Sequence, residues 1–177
     1  AVLVKGRENY ICERRWQELL QEQTRGITSY DAYGLLNLLV WKEHTNTGDV
    51  SENSSFDKNR FGVLWHKICS DRYLCGGRKC PLFHSCYVMK LRKNIETASI
   101  VVANHSLLLA DAQMDNSTLG EYQYLVIDEA HNLMSAASQN LGFTLSYVDL
   151  NSLFNQLVYT SRKYSGGFLS QIMQVLQ

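Results

Sequence analysis

The sequence predicts an α/β chain that is mostly helical, in which helices fill residues 1–97, part of a parallel sheet follows, and a second helical region closes the chain. Three observations predict it. Apolar residues recur at helical spacing through much of residues 13–97. The period then changes to two short continuous runs rich in Val and Ile, "SIVVAN" and "YLVIDEA", the pattern of strands buried on both faces of a parallel sheet. Beyond them the helical pattern returns.

Taken in order, "ERRWQELLQEQ" places Trp16, Leu19, Leu20 and Gln23 on one helical face. "YDAYGLLNLLVWKEH" repeats the pattern with an expected buried stripe of Leu35, Leu36, Leu39 and Val40. "TNTGDVSENSS" is a polar loop with Gly and Asn breakers. Phe61, Leu64, Trp65 and Ile68, at i, i+3, i+4 and i+7, predict a third helix ending near Cys69, and Cys86 opens a fourth through about Thr97 with its basic residues exposed. Between the two apolar runs "HSLLLADAQ" suits a crossover helix, and "HNLMSAASQ" after them reads as another. "SYVDLNSLFNQLVYT" opens with Ser146 and Asp149 as a capping box, and "SGG" interrupts before a last short helix. A doubly wound domain needs more than two strands, so this sheet is incomplete within these residues.

The chain has 177 residues, enough to bury a real core, and 17 basic residues balance 17 acidic ones. That balance argues against a uniformly basic nucleic-acid binder. The distribution is uneven, however: Arg72, Arg78, Lys79, Lys90, Arg92 and Lys93 fall in one stretch without an acidic residue. No apolar run reaches the length of a membrane span, and "AVLVKGRENYIC" has no signal-peptide pattern, so a cytoplasmic protein is expected. Five cysteines in such a chain point to ligation or burial rather than a disulfide framework.

"YLVIDEAH" puts Asp128 and Glu129 at the expected C-terminal end of a buried strand, where open α/β sheets bind ligands. The chemistry there is that of a metal-nucleotide site. In P-loop motors this Asp helps hold the magnesium of ATP, and the following Glu is suited to polarise the attacking water. His131 would relay the state of the nucleotide. No GxxxxGK[ST] phosphate cradle occurs in these residues, so this chain alone is expected not to hydrolyse ATP. Asn104 and His105, after the first apolar run, either contact a ligand or cap the next helix.

Cys75, Cys80 and Cys86 are separated by four and five residues, and Cys12, Cys69, His66 and His84 are the candidates for a fourth ligand. Structural zinc sites commonly use C-x2-C knuckles, which are absent here; the wider intervals fit wrapping around a larger inorganic core.

"KGRENYIC", "TGDVSE", "CGGRKCPLFHSC", "IVVANHSLLLAD" and "YLVIDEAHNL" occur in one order across residues 5–142. In that order the chain resembles the iron-sulfur superfamily 2 DNA helicases of the DinG/XPD type and looks closest to bacterial DinG. The resemblance implies a four-iron, four-sulfur cluster on Cys12, Cys75, Cys80 and Cys86, leaving Cys69 as a buried small hydrophobe. It implies a helical iron-sulfur domain at residues 1–97, inserted in an incomplete RecA-like motor domain at 98–140 with its DEAH box at Asp128, Glu129 and His131, and the start of an arch domain at 141–177. ATP and magnesium are the cofactors of the full-length protein so implied, and unwinding from 5′ to 3′ its activity. The partner implied is single-stranded or forked DNA, bound by a monomer away from any membrane.

Arg14, Arg15, Arg78, Lys79, Lys90, Arg92 and Lys93 are the candidate phosphate contacts, with Tyr73, Phe83 and Tyr87 as stacking candidates set against the alternative of core packing. Two rival classes stand beside the helicase. A zinc-holding DNA-binding module explains the cysteines but not "YLVIDEAH"; a DinG-related exonuclease without helicase activity would carry its nuclease outside these residues.

Overall fold

A computed structural model describes residues 1–21, 28–113 and 118–141, together with Tyr147, Leu150, Phe154 and the pairs 159–160 and 165–166. The chain divides into two compact units, Ala1–Ala136 and Ala137–Gln177. No helix among the described residues is long and apolar enough to cross a membrane.

The first unit opens with a strand absent from the sequence-based expectation, β1 (Val2–Val4), followed by α1 (Glu13–Gln21), α2 (Ser29–His44), α3 (Gly62–Ile68) and α4 (Tyr87–Thr97). Strand β2 (Val101–Ala103) and α5 (His105–Ala112) come next, and α6 (Leu133–Leu141) starts at the end of this unit. β1 and β2 pair in parallel, Val2 opposite Val101 and Val4 opposite Ala103. The chain thus leaves one strand, builds four helices and returns to the neighbouring strand.

Local chemistry sets several boundaries. α2 begins with a capping box: the Thr28 hydroxyl accepts from Asp31 N at 3.1 Å and the Asp31 carboxylate accepts from Thr28 N at 3.3 Å. Cys86 stands at the N-cap of α4, and Asn104 caps α5 by accepting from Leu107 N at 2.8 Å. That bond answers for Asn104, which is a cap.

The main core joins Ile11, Trp16, Leu19, Leu38, Val50, Phe56, Phe61, Leu64, Trp65, Ile68, Cys69 and Tyr87. Phe56, Phe61 and Trp65 form a ring cluster with centroids 5.6 and 5.9 Å apart. The four residues expected to line α3 are all buried. A smaller cluster of Val4, Ile95 and Leu119 seats the strand pair on α4.

α2 departs from expectation. Gly34 and Leu38 are its buried residues, Leu35 and Leu39 only flank the core, and Leu36 and Val40 are 61% and 65% exposed. The cause is Gly34, where an added Cβ would lie 2.8 Å from the Phe61 ring, so the helix closes on α3 along its glycine face. A pattern built on large apolar residues cannot register that approach. On α1, Trp16 and Leu19 are buried but Leu20 is exposed, and Gln23 lies outside the described residues.

The second apolar run also departs. Residues 124–127 form no strand, with Tyr124 and Val126 87% and 92% exposed. β2 itself has Val102 half exposed. A strand buried on both faces needs neighbours for its amides and carbonyls and helices over its side chains. Among the described residues β1 and β2 pair only with each other, so the later run lies open.

In the second unit Tyr147, Leu150 and Phe154 are helical as expected, whereas Tyr159–Thr160, at the end of that expected helix, pairs antiparallel with Ser165–Gly166; the short helix expected after "SGG" lies outside the described residues. The Ser146 and Asp149 capping box lies outside the described residues.

Candidate functional site

Two constellations carry chemistry, both in the first unit. The first is the set of thiols. The segment Tyr10–Ile11 runs antiparallel to Asp49 on one side and Cys69 on the other, and Cys12 follows it, donating its N–H to Ile68 O at 2.8 Å while its carbonyl starts α1. Cys75 and Cys80 lie in a loop of successive turns. There the Asp71 carboxylate accepts from Tyr73 N and Leu74 N at 2.7 and 3.0 Å, and Cys75 Sγ accepts from Gly77 N at 3.4 Å. Cys80 closes the helical turn Gly77–Lys79, and its backbone packs on Gly76, beside Cys75.

All five cysteines are free thiols. Burial pushes the Cys86 thiol up; amide N–H groups of Met89 and Val88, at the start of α4, pull the other way, and the neighbouring Cys12 and Cys75 sulfurs add to the rise. Cys12, Cys75 and Cys86 therefore share one electrostatic neighbourhood. Among the described residues, no three His, Cys, Asp or Glu side chains converge closely enough to hold a single metal ion.

Cys69 is apart from this group in kind. It is buried in the main core, and burial is what raises its thiol, against the charge of the nearby Arg15. Cys69→Ala is expected to cost about 1 kcal/mol in chemical unfolding and to leave the metal content of purified protein unchanged; loss of metal would reassign the residue.

The basic candidates divide by their contacts. Arg14 bridges Glu18 at 2.9 Å and donates to Leu74 O at 2.7 Å, and Arg15 donates to the carbonyls of Cys69 and His66. Both tie α1 to the end of α3 and the cysteine loop. Arg78, Lys79, Lys90 and Lys93 are exposed, whereas Arg92 is half buried with its Nε unpaired. Of the aromatic candidates Tyr73 is 91% exposed and Phe83 meets His84 edge-on. Tyr87 is a core residue, flanked by the ammonium groups of Lys42 and Lys90 at 5.4 Å each, and its ring is not open to a base.

The second constellation is the acidic turn. Asp128, Glu129 and His131 are all exposed. Glu129 adopts φ 50°, a left-handed conformation uncommon for a residue with a side chain, and its N–H donates to the Asp128 carboxylate at 2.9 Å. His131 Nδ1 lies 3.4 Å from the Glu129 carboxylate. His105 Nε2 is 3.0 Å from the Asp128 carbonyl, which accepts its proton. Asp128, Glu129 and His105, with Arg92 and Asn104, border a groove of about 1350 Å³.

Sequence reasoning missed three contacts that organise these sites. His105 pins the acidic turn. Lys5 Nζ meets the Asp49 carboxylate at 2.6 Å and the Ser51 hydroxyl, joining "KGRENYIC" to "TGDVSE". Lys42 meets Glu13 at 3.0 Å. The signal for the second was the recurrence of both motifs, which named no partner for either.

Residues 76–150 match the DEAD_2 family. The chain is 34% identical over 167 residues to the ATP-dependent DNA helicase YoaA of Escherichia coli, covering 90% of this chain and 25% of that protein. It is 30% identical over 181 residues to the 3′-5′ exonuclease DinG of Bacillus subtilis, covering 100% of this chain and 18% of that protein. With the ATP-dependent helicase DinG of Mycobacterium tuberculosis it shares 31% identity over 144 residues, 74% of this chain and 21% of that one. The chain spans a quarter or less of the length of these relatives.

Proposed function

We propose that this chain, which matches the DEAD_2 family over residues 76–150 and is similar to YoaA and DinG along most of its length, belongs to an ATP-dependent DNA helicase, in which residues 6–97 are a helical iron-sulfur insertion, 98–140 part of the motor and 141–177 the start of an arch. The observation that carries the reading is the parallel pairing of β1 with β2 across the whole cysteine-bearing helical body. An insertion in a sheet domain leaves and re-enters at neighbouring strands in this way.

Cys12, Cys75, Cys80 and Cys86 would hold a four-iron, four-sulfur cluster. The donor set suits it: soft sulfur ligands, an amide N–H donated to Cys75 Sγ, and a Cys86 thiol that feels both Cys12 and Cys75. Such a cluster would supply bonds tying residue 12 to the loop 75–86, closing a long stretch of chain.

In the acidic turn, Asp128 would help hold the magnesium of ATP and Glu129 would polarise the attacking water. His131, beside Glu129, would couple that carboxylate to bound nucleic acid. Arg78, Lys79, Lys90 and Lys93, with Tyr73 as a stacking platform, would face single-stranded DNA, while Arg14 and Arg15 hold the backbone of that surface and Arg92 adds charge. Polarity from 5′ to 3′ follows from the family resemblance.

Glu129→Gln in the protein carrying its phosphate loop is expected to lower ATP hydrolysis by about 100-fold or more with DNA binding retained. Undiminished turnover would sink the role given to Glu129. The name of the Bacillus subtilis relative supports a second reading, an exonuclease with this segment as its DNA-handling part. There the same variant would leave nucleolytic activity intact.

A further inference from the structure

We infer that Lys42 and Gly48 are positioning residues that set the separation of the Cys12 and Cys86 thiols, an inference that rests on the iron-sulfur reading above. Both residues touch the immediate neighbours of the two cysteines, by different chemistry, and neither belongs to the proposed ligand set.

Gly48 stands between the two segments. Its carbonyl accepts from Ile11 N, one residue before Cys12, at 2.9 Å. On its other side is the ring of Tyr87, one residue after Cys86: a Cβ on Gly48 would lie 2.5 Å from Tyr87 Cγ and 2.6 Å from Cδ2. Its φ of +69° also disfavours any other residue. The thickness of one glycine backbone is thus the spacer between the Cys12 strand and the start of α4.

Lys42 makes a second strut from the same stretch of chain. Its ammonium is 3.0 Å from the Glu13 carboxylate, one residue after Cys12, and 5.4 Å from the centre of the Tyr87 ring. Both members of the ion pair are mostly buried, with side chains 16% and 18% exposed, so the pair is held in one geometry rather than exchanging with water. Cys12 is consequently gripped through both flanking residues, and each grip ends on Tyr87. The loop is itself fixed, since Asp49 pairs with Lys5 and bridges Tyr10.

A cluster with four thiolate ligands tolerates little change in ligand spacing, and partners outside the ligand set typically alter metal retention by about 10- to 100-fold. The test uses the intact protein, purified anaerobically as wild type, Gly48→Ala, Lys42→Met and Lys42→Arg. Gly120→Ala is the control for backbone strain, because Gly120 has φ +76° with nothing near its Cβ position. Iron release to a chelator and the electron paramagnetic resonance of the reduced protein are measured, with thermal unfolding of the metal-free forms alongside.

Release is expected to rise about tenfold in Gly48→Ala and Lys42→Met, with an altered resonance, while Lys42→Arg and Gly120→Ala follow the wild type and the metal-free forms of the two Lys42 variants unfold together. Wild-type release and resonance in both Gly48→Ala and Lys42→Met overturn the inference. Should Gly48→Ala not fold, the Lys42 pair decides. A wild type that takes up no iron overturns the iron-sulfur reading itself, and this inference with it.

Discussion

On the iron-sulfur reading, Cys86→Ser is expected to abolish iron and sulfide retention, from about four of each per chain to background, with loss of the broad visible absorption of thiolate-ligated iron. The substitution is informative because of where Cys86 stands. It is the N-cap of α4 and makes no side-chain capping bond, and serine is among the preferred residues at that position, worth roughly 0.5–1 kcal/mol over a poor cap. Without metal the variant should therefore be at least as stable as wild type. Any destabilisation that appears only when the proteins are loaded with iron measures the crosslink and not the helix. Retention of a full complement of iron by Cys86→Ser would remove this residue from the ligand set.

The second large effect is in the core. Trp65→Ala is expected to lower the unfolding free energy by about 3–5 kcal/mol, measured by denaturant titration. Trp65 is 2% exposed and packs on Phe56, and its indole N–H donates to Glu8 O at 2.8 Å, tying α3 to the helical turn that precedes Cys12. Its removal empties the centre of the cluster and frees the "KGRENYIC" segment together. Because single domains have only about 5–15 kcal/mol in hand, the variant should unfold near ambient temperature in its metal-free form. A change under about 1 kcal/mol would mean that the surrounding rings collapse into the space, against the usual stiffness of a packed aromatic core.

Much of the helical body was legible in the sequence because local periodicity and local burial coincide there. Phe61, Leu64, Trp65 and Ile68 were read as one face and are one face. Cys69 at the end of that helix was read as core filler and is buried. α2 was legible as a helix but not in its orientation, since a glycine contact is invisible to a hydrophobicity pattern. β1 was missed because three apolar residues carry no period, and their partner lies at residues 101–103. The run 124–127 was overread for the converse reason: its strand-like composition describes a setting of neighbouring strands that the described residues do not provide.

The candidate sites divide in the same way. The residue types at the acidic turn and in the cysteine loop could be read directly, but not which thiols approach one another. Nor could a breaker in a polar loop, Gly48, be told from a spacer. Those properties belong to contacts between segments far apart in the chain.

The parallel pairing of β1 with β2 also governs the order of events when the polypeptide is made. β1 is made well before the strand it pairs with, which follows about 100 residues later at the usual pace of roughly 5–20 residues per second, with Val2 opposite Val101. In that interval α1, α3 and the helices around them can gather their own core from contacts nearer in the chain, which form faster than distant ones. The helical body then shortens the path between the strand ends before they meet. Of the two paired strands, the one made earlier accordingly waits for the one made later.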